Sequence, residues 1–107
     1  MLDETTRDRI QTEVDGNDVL LFMKGTPVFP QCGFSANTVA ILNSLEVPFK
    51  TFDVLSDPNI RQGIKDFSNW PTIPQLYIKG KFIGGNDIIT EMYQSGDLQN
   101  FLKENGI

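Results

Sequence analysis

Val19 to Met23, inside the stretch DVLLFMK, is an unbroken run of large apolar side chains. A strand with one face in water would alternate apolar and polar residues, so a continuous run of strand length reads as a central strand covered on both sides. The rest of the chain must therefore supply two covering layers. GTPVFPQ after it is loop, punctuated by Pro27 and Pro30. From Gly33 to Leu45 the residues Ala36, Val39, Ala40, Ile41, Leu42 and Leu45 recur at helical spacing, and Val47-Pro48 ends that pattern. FKTFDV at 49–54 reads as a second strand, which completes a strand-helix-strand unit.

Asp57-Pro58 then signals a helix start, with Asp as cap and Pro in the first turn, and Ile60, Ile64 and Phe67 give it one apolar face. SNWPTIP at 68–74 is loop, and QLYIK, a Lys79-Gly80-Lys81 turn and KFIGG predict a hairpin. Asp87 is placed to cap a further helix carrying Ile88, Ile89, Met92 and Tyr93. A break at Gly96-Asp97 separates it from a short helix with Leu98, Phe101 and Leu102 that closes near Gly106. A short surface helix over Asp3 to Val14, stopped at Gly16, precedes the first strand. The whole is an α/β chain with a mixed four-stranded sheet and helices on both faces, one domain over residues 1–107.

Charge and composition narrow the function. Nine Lys plus Arg against fourteen Asp plus Glu give a formal charge of −5, which argues against broad nucleic-acid or anionic-membrane binding. The acidic N-terminal stretch predicts neither a secretory signal nor a transit peptide, and no segment reaches the length of a membrane span. There is no histidine, so a Cys-His pair, a Ser-His-Asp triad and a His-rich zinc site are excluded. The single cysteine, Cys32, allows no intramolecular disulfide, and a reducing compartment, the cytoplasm, is expected.

A lone cysteine is most often a small buried hydrophobe. Cys32 instead falls between a strand end and a helix start, where unpaired N–H groups and the helix dipole stabilise a thiolate, and Lys24 adds a positive charge. Cys32-Gly33-Phe34-Ser35 after Met23-Lys24-Gly25-Thr26-Pro27, then Trp70-Pro71-Thr72-Ile73-Pro74-Gln75, then Gly84-Gly85-Asn86-Asp87 resembles a monothiol glutaredoxin of the CGFS type. The likeness runs from about Glu13 to Glu104, with three motifs in order on the predicted elements.

The resemblance implies a thioredoxin-like fold. It matches Cys32 to a cluster-ligating thiolate, and Lys24, Arg61, Ile73, Asn86 and Asp87 to positions that hold glutathione, with Pro74 as a cis-proline beside the site. Asn86 departs from the pattern, since many members carry Cys or Ser there; backbone amides can still serve at that position, but a second thiol is missing. The chemistry agrees with these placements. Lys24 and Arg61 suit a carboxylate, the N–H groups at Asn86 and Asp87 suit a second one, and extended backbone at Ile73 suits the cysteinyl unit.

Each position also has a structural reading. Lys24 can simply end a strand in solvent, Arg61 and Lys65 can form a solvated face with Asp57 and Asp66, and Asp87 can act as a cap alone. Trp70 reads as packing, and Phe34 as core or as a shield for a bound cofactor. Val28 and Phe29, if exposed beside Cys32, could touch a partner or a second subunit.

A 2Fe-2S cluster asks for four ligands. One cysteine and no histidine supply one, so two chains and two glutathione molecules are needed. The expected function is glutathione binding and cluster transfer to iron-sulfur acceptor or assembly proteins, as a homodimer when loaded and a monomer when apo. The rivals are a glutathione-dependent thiol-disulfide oxidoreductase, for which the resemblance points to weak turnover at most, and a module that senses iron or redox state.

Overall fold

Val19–Met23 forms β1, and all five of its residues are buried. The computed structural model describes residues 2–107. In chain order the elements are α1 (Glu4–Gly16), β1, α2 (Gly33–Ser44), β2 (Lys50–Asp53), a short 3-10 turn (Val54–Ser56), α3 (Pro58–Ser68), β3 (Gln75–Ile78), β4 (Lys81–Gly84), α4 (Asn86–Ser95) and α5 (Asp97–Glu104). The sheet order is β2-β1-β3-β4. β1 runs parallel to β2, with Leu20 opposite Lys50, and antiparallel to β3, with Val19 opposite Ile78. β3 and β4 close as the antiparallel hairpin.

The apolar run is explained by two separate cores. Val19, Leu21 and Met23 pack with Val39 and Leu42 of α2, Ile89 of α4, and Leu98 and Leu102 of α5. Leu20 and Phe22 point the other way, into Ile10 and Val14 of α1, Ile60 and Ile64 of α3, and Tyr77. Successive strand residues face opposite sides, so each layer claims alternate members of one strand. Burying a side chain such as Phe22 completely contributes on the order of 2–3 kcal/mol.

α3 begins as the Asp-Pro pair predicts: the Asp57 carboxylate accepts from the N–H groups of Asn59 at 3.0 Å and Ile60 at 3.2 Å. Its ion partner is Arg9 at 2.8 Å, which ties α3 to α1, rather than Arg61 or Lys65. The Arg9 side chain, followed by the Ile60 N–H, holds the Asp57 carboxyl below its ordinary pKa.

Three local expectations change. Asp87 does not cap α4: Gly85 is the N-cap, makes no side-chain cap bond, and leaves Asp87 exposed in the first turn. Ala40 is exposed, because the apolar stripe of α2 is narrower than its composition implies. The strand expected over 49–54 is shorter, Lys50–Asp53, and Val54 opens the 3-10 turn, which follows from Asp53, whose carboxylate accepts the Leu55 N–H at 2.9 Å and also the Gly25 N–H at 2.9 Å. Among the described residues no helix is long and apolar enough to cross a membrane.

Candidate functional site

The site starts where β1 ends. Gly25 sits at φ +90°, and a Cβ there would lie 2.5 Å from the Phe29 carbonyl oxygen, so only glycine fits. The Thr26 N–H donates to that oxygen at 3.2 Å, the Phe29 N–H donates to Thr26 Oγ1 at 3.1 Å, and the Gln31 N–H donates to the Lys24 carbonyl at 2.9 Å. These bonds fold the proline-rich loop into a fixed hook. The hook delivers Cys32, half-buried and with a free thiol, to the N-cap position of α2.

No side-chain hydrogen bond closes this cap at ordinary length. The sulfur nonetheless sits in a field that favours the anion. The backbone N–H of Ser35 contributes most to holding the thiol below its ordinary pKa of 9.0; partial burial opposes this, and the Phe34 N–H, the Lys24 charge and the Ser35 hydroxyl add to the lowering. Ser35 is itself completely buried, and its Oγ accepts the Lys24 N–H at 3.1 Å. A thiolate at a helix N-terminus is a nucleophile and a soft-metal ligand.

A groove of about 150 Å³ adjoins this turn. Phe34 forms one wall, Trp70, Ile73 and Pro74 another, and Asn86 and Asp87 close its end at the start of α4. The Ile73-Pro74 peptide bond is cis. The first N–H groups of α4 have no partner within the helix and no capping side chain. A larger cleft of about 370 Å³ lies between α1, β2 and α3, but its walls, Arg9, Glu13 and Phe52 among them, include neither the thiol nor any candidate site residue.

Of the expected site residues, Ile73, Asn86 and Asp87 share the groove, Phe34 links it to the turn that follows Cys32, and the Lys24 charge acts on the Cys32 thiol. Arg61 stands apart on the first turn of α3, exposed and outside the groove walls. Neither Arg61 nor Lys24 is in an ion pair among the described residues. The Asn86 side chain faces α2 and accepts hydrogen bonds from it.

Phe34 is 62% exposed, so it is not core, and Val28 and Phe29 are exposed as well. Trp70 packs on Phe82 with ring centroids 5.8 Å apart, as a packing residue should, yet it also walls the groove. Its Nε1 is buried without a hydrogen-bond partner, and a Cβ on Gly85 would lie 3.1 Å from it. The part played by Ser35 was not legible in advance, since a serine in a first helical turn is ordinary; only its burial marks it.

Residues 19–83 match the glutaredoxin family model, and 98 residues are 59% identical to a monothiol glutaredoxin of Synechocystis sp., covering 92% of each chain. The chain belongs to the glutaredoxin family. This glutaredoxin is also similar to a monomeric truncated mutant of Trypanosoma brucei 1-C-Grx1, with a TM-score of 0.87 and 41% identity over 100% of this chain and 94% of that one. It shares its thioredoxin-like fold with a buckwheat glutaredoxin solved as a glutathione complex, at a TM-score of 0.85 and 24% identity, covering 96% and 92% of the two chains. Some plant relatives are longer, and the glutaredoxin spans 21% and 22% of two of them. Its one cysteine agrees with the monothiol names of its relatives.

Proposed function

We propose that this glutaredoxin binds glutathione beside Cys32 and, as a cluster-bridged homodimer, carries a 2Fe-2S cluster to acceptor proteins. The observation that carries the reading is the placement of one half-exposed thiol, its pKa lowered, next to a groove that ends in the free N–H groups of α4. Glutathione has two carboxylates, one ammonium and a thiol. Lys24 and Arg61 are assigned to its glycine carboxylate, and the backbone of Ile73 to its cysteinyl unit. The backbone amides of Asn86 and Asp87 are assigned to the γ-glutamyl carboxylate, with the Asp87 carboxylate near the ammonium.

Cys32 is the thiolate ligand for the cargo. The described residues contain no cluster of three or more potential metal-ligating side chains, so a protomer supplies too few ligands by itself. Two Cys32 thiolates and two glutathione thiolates make up the set. Half of that set exchanges with solution, which suits delivery better than storage. An unpaired thiol in this role belongs in a reducing compartment such as the cytoplasm.

The same accessible thiolate supports a second reading. Cys32 would attack the glutathione sulfur of a mixed disulfide, releasing the substrate thiolate. A second glutathione thiolate would then displace Cys32 and leave as glutathione disulfide. Anaerobic reconstitution with iron, sulfide and glutathione separates the two. The carrier reading expects a coloured species that disappears when glutathione is omitted or in Cys32→Ser; a colourless protein with rapid deglutathionylating turnover favours the enzyme.

A further inference from the structure

Two helices meet at this site, and at the end nearest the thiol the Asn86 side chain joins them. α2 carries Cys32 at its N-cap, and α4 begins at Asn86. The Asn86 Oδ1 accepts hydrogen bonds from Asn37 Nδ2 at 2.8 Å and from Thr38 Oγ1 at 3.1 Å. Asn37 Nδ2 also donates to Thr90 Oγ1, one turn further along α4, at 3.1 Å. The Thr38 hydroxyl lies 3.1 Å from the Phe34 carbonyl as well, within the turn that follows Cys32. Thr38 is completely buried and Asn86 half-buried, so water competes poorly for the bond between those two, whereas the bonds of Asn37 are exposed.

A carbonyl oxygen has two lone pairs; on Asn86 one accepts from Asn37 and the other faces the Thr38 hydroxyl, whose single proton is shared with the Phe34 carbonyl, so both are turned to α2. That oxygen is therefore committed to holding α2 and α4 together and is not turned to a ligand. The residue's own backbone N–H, in contrast, lies in the first turn of α4, which no side chain caps. A serine or cysteine here would end one bond earlier than the Asn oxygen and would not span the same gap.

We propose that Asn86 is a positioning residue. Its side chain, through Thr38 and Asn37, sets the spacing between the amides that receive the γ-glutamyl carboxylate and the turn that holds the Cys32 sulfur. This deepens the glutathione reading and rests on it. The spacing matters only to a ligand that reaches both places, namely one containing the γ-glutamyl-cysteine unit. The strap thus makes the groove selective for that unit over a thiol such as cysteinylglycine, which lacks the γ-glutamyl arm.

The test is a calorimetric titration of the wild-type chain, Asn86→Ser, Thr38→Val, Asn37→Ala and the Asn86→Ser/Thr38→Val double variant with glutathione and with cysteinylglycine. Asn37 is exposed, so its variant remains informative if Thr38→Val fails to fold. Each single variant is expected to lose about fivefold in glutathione affinity with no change toward cysteinylglycine. The double variant is expected to be no weaker than Asn86→Ser alone, because both substitutions break one connection. Loss in Asn86→Ser with wild-type affinity in Thr38→Val and Asn37→Ala would mean direct ligand contact and overturn the proposal. Equal losses toward both thiols would mean general loosening and overturn it too. A wild-type chain that binds no glutathione would instead overturn the underlying site reading.

Discussion

The backbone N–H of Lys24 donates to the hydroxyl oxygen of the completely buried Ser35 at 3.1 Å, fastening the last turn of the β1 exit to the first turn of α2. The bond uses Ser35 as an acceptor, so its own proton remains for the Cys32 sulfur beside it.

Ser35→Ala should act on both sides of that connection. It leaves the Lys24 N–H without an acceptor, which costs about 1–3 kcal/mol for a buried group, and it removes one of the influences that lower the Cys32 pKa. The rate of iodoacetamide alkylation against pH measures the second effect. In the wild-type chain the half-maximal rate should fall at a pH below 9.0, and in Ser35→Ala the midpoint should move up toward that value. Because the folded-state pKa is depressed, the thiolate's contribution to stability is present in full above the unfolded thiol's pKa and is lost as pH falls through the folded one. Denaturant unfolding should show this pH dependence in the wild-type chain and not in Cys32→Ser.

Gly25→Ala should damage the hook before the thiol. The residue's φ of +90° disfavours any side chain, and the new Cβ would be 2.5 Å from the Phe29 carbonyl oxygen. A loss of about 1–3 kcal/mol is expected in denaturant melts, together with a changed alkylation rate at Cys32. A wild-type melting curve would show that the loop relaxes freely and does not fix the cysteine.

Trp70 is the only tryptophan in the chain and stands in the groove wall. Glutathione entering the groove should change its emission in a saturable way, and Asp87→Ala should shift the titration to higher concentration, by about three- to tenfold for a lost charge-assisted contact. No change in emission at saturating glutathione would place the tripeptide elsewhere.

Much of this was readable from the sequence, because the decisive signals are local. The unbroken run Val19–Met23 requires two covering layers, Asp57-Pro58 starts a helix where it stands, and the short turn at Lys79-Gly80-Lys81 forces a hairpin. What was not readable depends on partners distant in sequence. Asp87 fits a capping pattern, but α4 starts two residues earlier because Gly85 adopts the N-cap geometry. Asn86 looks like a ligand group until Asn37 and Thr38, some fifty positions away, are seen to claim its oxygen. Asp57 has nearby lysine and arginine on its own helix, yet it pairs with Arg9 of α1.

The central claim is that Cys32 of each of two chains, with two glutathione thiols, completes the ligand set of one transferable cluster. Native mass spectrometry of the anaerobically reconstituted protein tests it most directly. The expected species is a dimer whose mass includes one 2Fe-2S unit and two glutathiones, replaced by a bare monomer in Cys32→Ser. A cluster retained on a single chain, or on a dimer free of glutathione, would contradict the account.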